Sequence, residues 1–147
     1  MDNSTWMNNL SEAKVLAKFA ENRMHVFTQT TGKAPVDMIL LEKNNLYKIS
    51  VKSTGSLKNK DTTSYLIELR RIRTNKHKNV IYNFDNKVCD ILAVYINELD
   101  KICFIPANLI KTKGQIALRE EKSKFSSSNW IISEWEDINK TLKILED

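Results

Sequence analysis

The sequence has 147 residues, of which 41% are hydrophobic and 28% charged, and its formal net charge is +5 at pH 7. These values are typical of one globular domain with its own core, and they exclude collagen-like, disulfide-framework and wholly disordered chains. We expect no membrane span, because no run approaches ~20 apolar residues, and no secretory signal, because no basic segment leads into an apolar run at the N-terminus. The expected location is the cytoplasm.

The first half of the chain combines one helix with several strands. Helical or alternating spacing of the apolar residues predicts a helix over 8–22 and strands over 25–30, 36–42, 46–53 and 64–73. Asn44-Asn45 is predicted to form the turn between the second and third strands, because asparagine tolerates a positive φ. With that turn, Asp37 becomes the direct cross-strand partner of Lys52, with Cβ atoms ~5 Å apart.

The second half is predicted to complete the sheet and to end in a helix. The predicted elements are helical turns over 80–84 and 107–110, strands over 90–96, 101–105 and 115–119, and a helix over 134–145. The order of elements predicts an α/β or α+β fold with a mixed sheet flanked by helices. We expect a core domain over 1–119, followed over 120–147 by a polar linker and a C-terminal helix that packs on the core or on a partner. Cys89 and Cys103 stand among apolar residues and are expected to be core thiols.

Asp37 is an acid in an otherwise apolar strand, and this placement has two interpretations. An exposed cross-strand ion pair with Lys52 is the simpler one, and such pairs contribute only ~0–1 kcal/mol. The second interpretation is a functional site. The apolar neighbours of Asp37 favour it, because a buried carboxylate requires a partner, a metal or a functional reason. The residues alone leave both interpretations open.

A short motif and two long stretches carry a family resemblance. Pro35-Val36-Asp37, followed after 12 residues by Ser50-Val51-Lys52, resembles the signature of the PD-(D/E)XK nuclease superfamily. The stretches SEAKVLAKFAENRMHVFTQTTGKAPVDMILLEKNNLYKISVKST and ELRRIRTNKHKNVIYNFDNKVCDILAVYINELDKICFIPANLI are similar to the cyanobacterial group I intron homing endonucleases of that superfamily. The resemblance covers about 10–119. It implies a restriction-endonuclease-like core and a sequence-specific, homing-type DNA endonuclease that hydrolyses phosphodiester bonds with a divalent metal.

The same resemblance implies a role for each matching residue. Glu12 in the first helix and Asp37 would hold the metal, and the carbonyl of Val51 would be a backbone ligand. Lys52 would orient or activate the attacking water and offset charge on the phosphate. The expected ion is Mg²⁺, with Mn²⁺ as the alternative, because Mg²⁺ takes oxygen ligands and keeps several waters.

Ser50 departs from the family pattern, which has Asp or Glu in most of the superfamily and Gln in the similar homing enzymes. Three interpretations follow: Ser50 binds the metal through water and leaves weak activity, Glu68 supplies a carboxylate from a neighbouring strand, or the site is inactive. Two alternatives to a homing enzyme stay open: a Holliday-junction resolvase, since archaeal resolvases share the same core, and, because of Ser50, a nuclease-fold DNA-binding protein without catalysis.

A basic segment follows the candidate site and predicts a DNA-binding surface. Its cationic residues are Lys58, Lys60, Arg70, Arg71, Arg73, Lys76, His77 and Lys78. A solvated sheet edge is the alternative interpretation, but arginine binds phosphate and guanine bidentately. We expect most of these side chains to contact phosphates and Arg70 to read bases. Cutting both strands of double-stranded DNA requires two sites, so we expect a homodimer or homotetramer associated with the nucleoid.

Overall fold

The structure is a computed structural model that describes residues 3–54, 64–74, 77–122 and 130–147. The helices are α1 (Asn3–Glu21), α2 (Ile132–Trp135) and α3 (Ile138–Glu146), with a 3₁₀ turn at Ala107–Leu109. The strands are β1 (His25–Thr28), β2 (Met38–Glu42), β3 (Asn45–Ser53), β4 (Ser64–Glu68), β5 (Arg71–Thr74), β6 (Asn79–Tyr82), β7 (Ile91–Ile96), β8 (Lys101–Pro106), β9 (Gln115–Arg119) and β10 (Trp130–Ile131). No helix in these described ranges is long and apolar enough to cross a membrane.

The centre of the fold is a five-stranded sheet in the order β1-β2-β3-β7-β8. β3 and β7 run parallel, whereas the other neighbours are antiparallel, so the prediction of a mixed sheet is confirmed. All six residues of β7 are buried. A strand that is covered on both faces can be apolar throughout, which explains the unbroken apolar run at this point of the sequence.

The alternation of β7 divides the interior into two apolar cores. Ile91, Ala93 and Tyr95 join the first core, which also contains Val15 and Phe19 of α1 and part of α3. The intervening residues of β7 join the second core, where a three-stranded sheet of β10-β9-β4 and helix α2 cover the opposite face. The main sheet therefore lies between helices on one side and a smaller sheet with α2 on the other, so each of its apolar faces is buried against another layer.

The β2–β3 hairpin differs from its predicted register by two residues. Lys43 and Asn44, not Asn44-Asn45, form the turn, and both have a positive φ, of 51° and 66°. Asn44 therefore takes the expected conformation, but it is the second central residue of the turn. Leu41 pairs with Leu46, and the predicted direct pairing of Asp37 with Lys52 is wrong. Because the shift is even, every side chain of β3 keeps its predicted face.

Two predicted elements around the basic segment are also wrong. The strand predicted over 64–73 is divided, because β4 ends at Glu68 and β5 belongs to a separate two-stranded sheet with β6. The Glu68 carboxylate accepts a hydrogen bond from the backbone N–H of Arg70 at 3.0 Å, and this local turn interrupts the strand. The helical turn predicted over 80–84 is instead strand β6, because pairing with β5 determines its conformation.

The C-terminal segment forms two helices where a single one was predicted over 134–145. Asp137 separates them, and its side chain caps α3 by accepting a hydrogen bond from the Asn139 N–H at 2.9 Å. The α3 helix packs on the main sheet through Ile138 and Leu142, while the Thr141 hydroxyl donates to the Phe104 carbonyl at 2.6 Å. Residues 123–129, most of the predicted linker, lie outside the described residues.

Candidate active site

A cavity of about 790 Å³ lies where α1, the start of β2, the end of β3 and the β5–β6 hairpin meet. Its walls include every residue of the implied metal and catalytic set, namely Glu12, Asp37, Ser50, Val51 and Lys52. Arg71 of the basic segment also lines this cavity. The structure thus brings together side chains that are up to 59 positions apart in the sequence, from Glu12 to Arg71.

Two sets of contacts fix the elements that carry these residues. Helix α1 is anchored by the fully buried Val15 and Phe19 and by a 2.9 Å ion pair from Lys14 to Asp100. Tyr95 donates its hydroxyl proton to the same carboxylate at 2.7 Å, so one turn of α1 is tied to the β7–β8 turn. On β3, alternation directs Ser50 and Lys52 to the face opposite that of Tyr47 and Ile49.

Asp37 is joined to β3 although it precedes the first residue of β2. Its backbone N–H donates to the Ile49 carbonyl at 3.0 Å. Its carboxylate oxygen Oδ2 accepts a hydrogen bond from the Val51 N–H at 2.7 Å. The carboxylate is therefore oriented by the strand that carries Ser50 and Lys52, without the direct cross-strand pairing.

The carboxyl groups of Glu12 and Asp37 form a pair inside the cavity. Burial, a hydrogen bond between the two side chains and the negative charge of Asp37, in that order, raise the pKa of Glu12 to about 7. Two adjacent carboxylates repel each other when both are ionised, so this pairing favours the protonated form of Glu12. A divalent cation between them would displace that proton and stabilise both charges.

The donors in the cavity fit a hard cation such as Mg²⁺. The carboxyl groups of Glu12 and Asp37 and the backbone of Val51 offer oxygen donors, which are the ligands that Mg²⁺ takes together with several waters. In the parts of the chain that the structure describes, no group of three or more His, Cys, Asp or Glu side chains is arranged to hold a metal. The donor set therefore does not fit a structural zinc site, which has four protein ligands.

Lys52 and Arg71 place two cationic groups on the same cavity. Burial lowers the pKa of the half-buried Lys52 ammonium, and the positive charge of Arg71 lowers it further. Neither side chain forms a salt bridge with another described residue. The cavity thus combines a carboxyl pair with two cations that form no salt bridge within the described ranges.

Ser50 has a neighbour that the sequence analysis did not connect with it. A hydrogen bond joins Ser50 to the thiol of Cys89, whose pKa is nevertheless raised because burial outweighs that bond. Cys89 is a buried thiol, as predicted, but it also lines the cavity, whereas Cys103 lies entirely in the second core. The Glu68 interpretation is not supported, since Glu68 does not line the cavity and its carboxylate binds Arg70 Nε at 2.8 Å.

The predicted DNA-binding residues occupy different surroundings. Arg71 lines the cavity, while the exposed Arg70 binds the Glu68 carboxylate through Nε and Nη2. His77 and Lys78 are exposed just before β6. Arg73 lies within β5. Lys58, Lys60 and Lys76 lie outside the described residues.

Another wall of the cavity was missed from the sequence. It consists of the segment from Tyr82 to Asp85, directly after β6, together with Val88. The helical turn that was wrongly predicted over 80–84 is the reason. It left out the β5–β6 hairpin, which brings this segment over β3. The run Val80-Ile81-Tyr82, made of β-branched and aromatic residues that favour strands, was the available signal for a second hairpin.

Comparisons with known proteins agree with this architecture. The sequence matches the family described as PD-(D/E)XK endonuclease over residues 3–138. No curated protein matches it. The fold is similar to the solved structure of a bacterial homing endonuclease, I-Ssp6803I, with a TM-score of 0.77, 20% sequence identity and coverage of 99% of this chain and 95% of that one. The predicted superfamily and fold class are therefore confirmed, and the chain belongs to the PD-(D/E)XK endonuclease family.

Proposed function

We propose that the protein is a DNA endonuclease of the homing type, which hydrolyses phosphodiester bonds at a specific sequence with the help of a divalent cation. The observation that carries this proposal is the carboxyl pair of Glu12 and Asp37, which lines one cavity with Lys52 in a chain of this endonuclease family. The solved homing endonuclease of similar fold supports the choice of DNA as substrate.

Glu12, Asp37 and the Val51 carbonyl would hold Mg²⁺ or Mn²⁺. Such an ion, when bound, acidifies water and stabilises negative charge on a phosphate. The Val51 N–H fixes the direction of the Asp37 carboxylate by its 2.7 Å hydrogen bond. Glu12 approaches from α1, Asp37 from the start of β2 and Val51 from β3, and the first core packs α1 against these two strands.

Lys52 would act on the reacting groups themselves. The oxygen of a water molecule forms a bond to phosphorus, and the bond from phosphorus to one sugar oxygen breaks. The attacking water loses a proton to solvent, and the departing sugar oxygen gains one. The Lys52 ammonium orients that water and stabilises the negative charge that develops on the phosphate oxygens.

Breaking both strands of a duplex requires two such cavities, so we propose a homodimer or homotetramer that acts on double-stranded DNA at the nucleoid. Arg73, His77 and Lys78 would help to hold the phosphates, together with Lys58, Lys60 and Lys76. Arg70 would contact DNA once its guanidinium exchanges the Glu68 carboxylate for a base or a phosphate.

A second candidate function is DNA binding without catalysis. Ser50 favours it, because a serine hydrogen-bonded to Cys89 supplies no charge to a metal. Incubation with Mg²⁺ or Mn²⁺ and genomic, supercoiled or four-way-junction DNA separates the alternatives. Discrete fragments from long DNA support the homing enzyme, cutting of junctions alone supports a resolvase, and binding without cutting supports the inactive protein.

The Lys52→Ala variant tests the assignment of the cavity. It should lose cutting while it retains most of its DNA affinity. Lys48→Ala is the matched control, since Lys48 lies on the same face of the same strand but outside the cavity. Equal turnover of the Lys52→Ala variant and the wild type would refute the assignment.

A further inference from the structure

We propose that Arg71 is a catalytic residue that pairs with Lys52 to form an anion site for the phosphate group being cleaved. In this arrangement the two cations hold the phosphate in the cavity that the carboxyl pair of Glu12 and Asp37 also lines. The catalytic role rests on the proposed function, whereas the anion site itself follows from the placement of the two cations.

Arg71 is held at the base of a firmly anchored hairpin. It is the first residue of β5 and lies directly opposite Tyr82, the last residue of β6. On one side of this pair, Leu69 is 1% exposed and its N–H donates to the Gly114 carbonyl at 2.9 Å. On the other side, the Phe84 N–H donates to the Lys113 carbonyl at 2.9 Å. Both ends of the hairpin are thus tied to the segment before β9, which fixes Arg71 over the cavity.

Adjacent arginines at this point have different electrostatic surroundings. The Arg70 guanidinium is neutralised by two contacts with the Glu68 carboxylate, at 2.8 and 3.2 Å. Arg71 forms no salt bridge with a described residue and shares its cavity with Lys52. Two like charges facing one space repel each other, and an anion between them would reverse that repulsion.

The carboxylates that line the cavity are already engaged. Asp37 accepts the Val51 N–H, and Glu12 hydrogen-bonds to Asp37. Asp85 accepts the Lys87 N–H at 2.9 Å within its own loop. Lys52 lies within the electrostatic influence of Asp37, but neither Lys52 nor Arg71 forms a salt bridge with these acids, so both cations can still contact an external anion.

A phosphate diester matches this pair chemically. Its two non-bridging oxygens can accept a bidentate guanidinium, and they gain negative charge as the attacking water adds to phosphorus. The phosphate also changes shape during the attack. A flexible ammonium beside a planar guanidinium can keep its contacts with the oxygens as they move. Free inorganic phosphate presents the same tetrahedral oxygens, so it is a suitable probe of the site in the absence of cutting.

Binding of inorganic phosphate tests the site without relying on catalysis. ³¹P NMR titrations use the full-length protein at about pH 6, first with a chelator and then with Mg²⁺. We expect saturable binding that weakens at least about fivefold in Arg71→Ala and in Lys52→Ala. Lys18→Gln removes one charge from a partly exposed lysine of α1 outside the cavity, and it should bind phosphate like the wild type. No saturable binding by the wild type in either condition, or equal weakening in all three variants, would overturn the inference.

Single-turnover cutting at saturating DNA tests the catalytic role. Arg71→Ala should lower the rate constant about 100-fold or more, with a much smaller loss of DNA affinity. Arg71→Lys should recover part of the rate, and free guanidinium should partly rescue Arg71→Ala. A rate constant for Arg71→Ala that equals the wild-type value would overturn the role of Arg71. Phosphate binding that depends on Arg71, in a protein that cuts no DNA, would instead reject the proposed function and retain the anion site.

Discussion

Asp37 and Val51 are joined by a 2.7 Å hydrogen bond from a backbone N–H to a carboxylate oxygen. This bond connects the residue before β2 with the strand that carries Ser50 and Lys52, and it gives Asp37 a fixed direction inside the cavity. A carboxylate that is both oriented by the backbone and paired with Glu12 has little freedom to serve as a simple surface ion-pair partner of Lys52. The bond is therefore the structural basis of the proposed metal site.

Two substitutions at Asp37 should separate stability from activity. Asp37→Asn keeps an oxygen that accepts the Val51 N–H, whereas Asp37→Ala leaves that donor without its partner. We expect both variants to lose cutting, and Asp37→Ala to be less stable than Asp37→Asn by about 1–2 kcal/mol. Urea unfolding in the presence of a chelator measures the difference. Equal stability of the two variants would show that the bond contributes nothing to folding.

Glu12→Gln should stabilise the metal-free protein at alkaline pH. The pKa of Glu12 is about 7 in the folded chain against an ordinary value of 4.5 for a glutamate, so the folded state binds the proton more tightly. The stability contributed by that proton is complete below about pH 4.5 and is lost as the pH rises through about 7. With solvent screening, we expect a gain of about 1–2 kcal/mol for Glu12→Gln at about pH 8 and almost none at about pH 4.

Thermal or urea unfolding with a chelator, at both pH values, measures this gain. Glu21→Gln is the matched control, because Glu21 lies on the same helix but outside the cavity. A Glu12→Gln variant that is less stable than the wild type at about pH 8 would contradict the carboxyl pair. Equal gains in stability for Glu12→Gln at both pH values would also contradict the carboxyl pair.

Ser50→Asp should strengthen metal binding by adding a third carboxylate beside Asp37 and Lys52. We expect Mn²⁺ affinity, measured by calorimetry, to rise about tenfold. Ser50→Asn is the matched control, since asparagine has nearly the same size without the charge. If Ser50→Asp and Ser50→Asn had the same affinity for Mn²⁺, the side chain at position 50 would lie too far from the ion to act as a ligand.

DNA affinity should fall steeply with added salt, because phosphate contacts release condensed counterions. The slope of log affinity against log salt concentration should decrease by about 1 in Arg71→Ala, which removes one such contact. Binding titrations at several salt concentrations measure this slope. An affinity of the wild type that does not respond to salt would exclude the proposed backbone contacts.

The sequence allowed the residues that line the cavity to be predicted, but it did not allow the register and the contacts of those residues to be predicted. Alternation along β3 correctly assigned Ser50 and Lys52 to one face, because a shift of two residues in register preserves the face of each side chain. It could not place the turn, since Lys43 adopts a positive φ that is uncommon for a lysine. The contact between Asp37 and the Val51 backbone likewise could not be predicted, because it depends on the register of the β2–β3 hairpin.

The surroundings of Arg70 and Arg71 could not be predicted from charge alone. Both arginines belong to the same basic run, yet one binds Glu68 and the other lines the cavity. The break between β4 and β5 causes this difference, and it depends on a side-chain hydrogen bond and on pairing with β6. Local propensity does not encode such non-local pairing.

The most direct test of the account is the crystal structure of the full-length protein soaked with Mn²⁺, with anomalous scattering used to locate the ion. The account predicts an ion between the carboxyl groups of Glu12 and Asp37 that disappears in Asp37→Asn. An ion bound elsewhere, or the two carboxyl groups pointing away from each other with no ion between them, would contradict it.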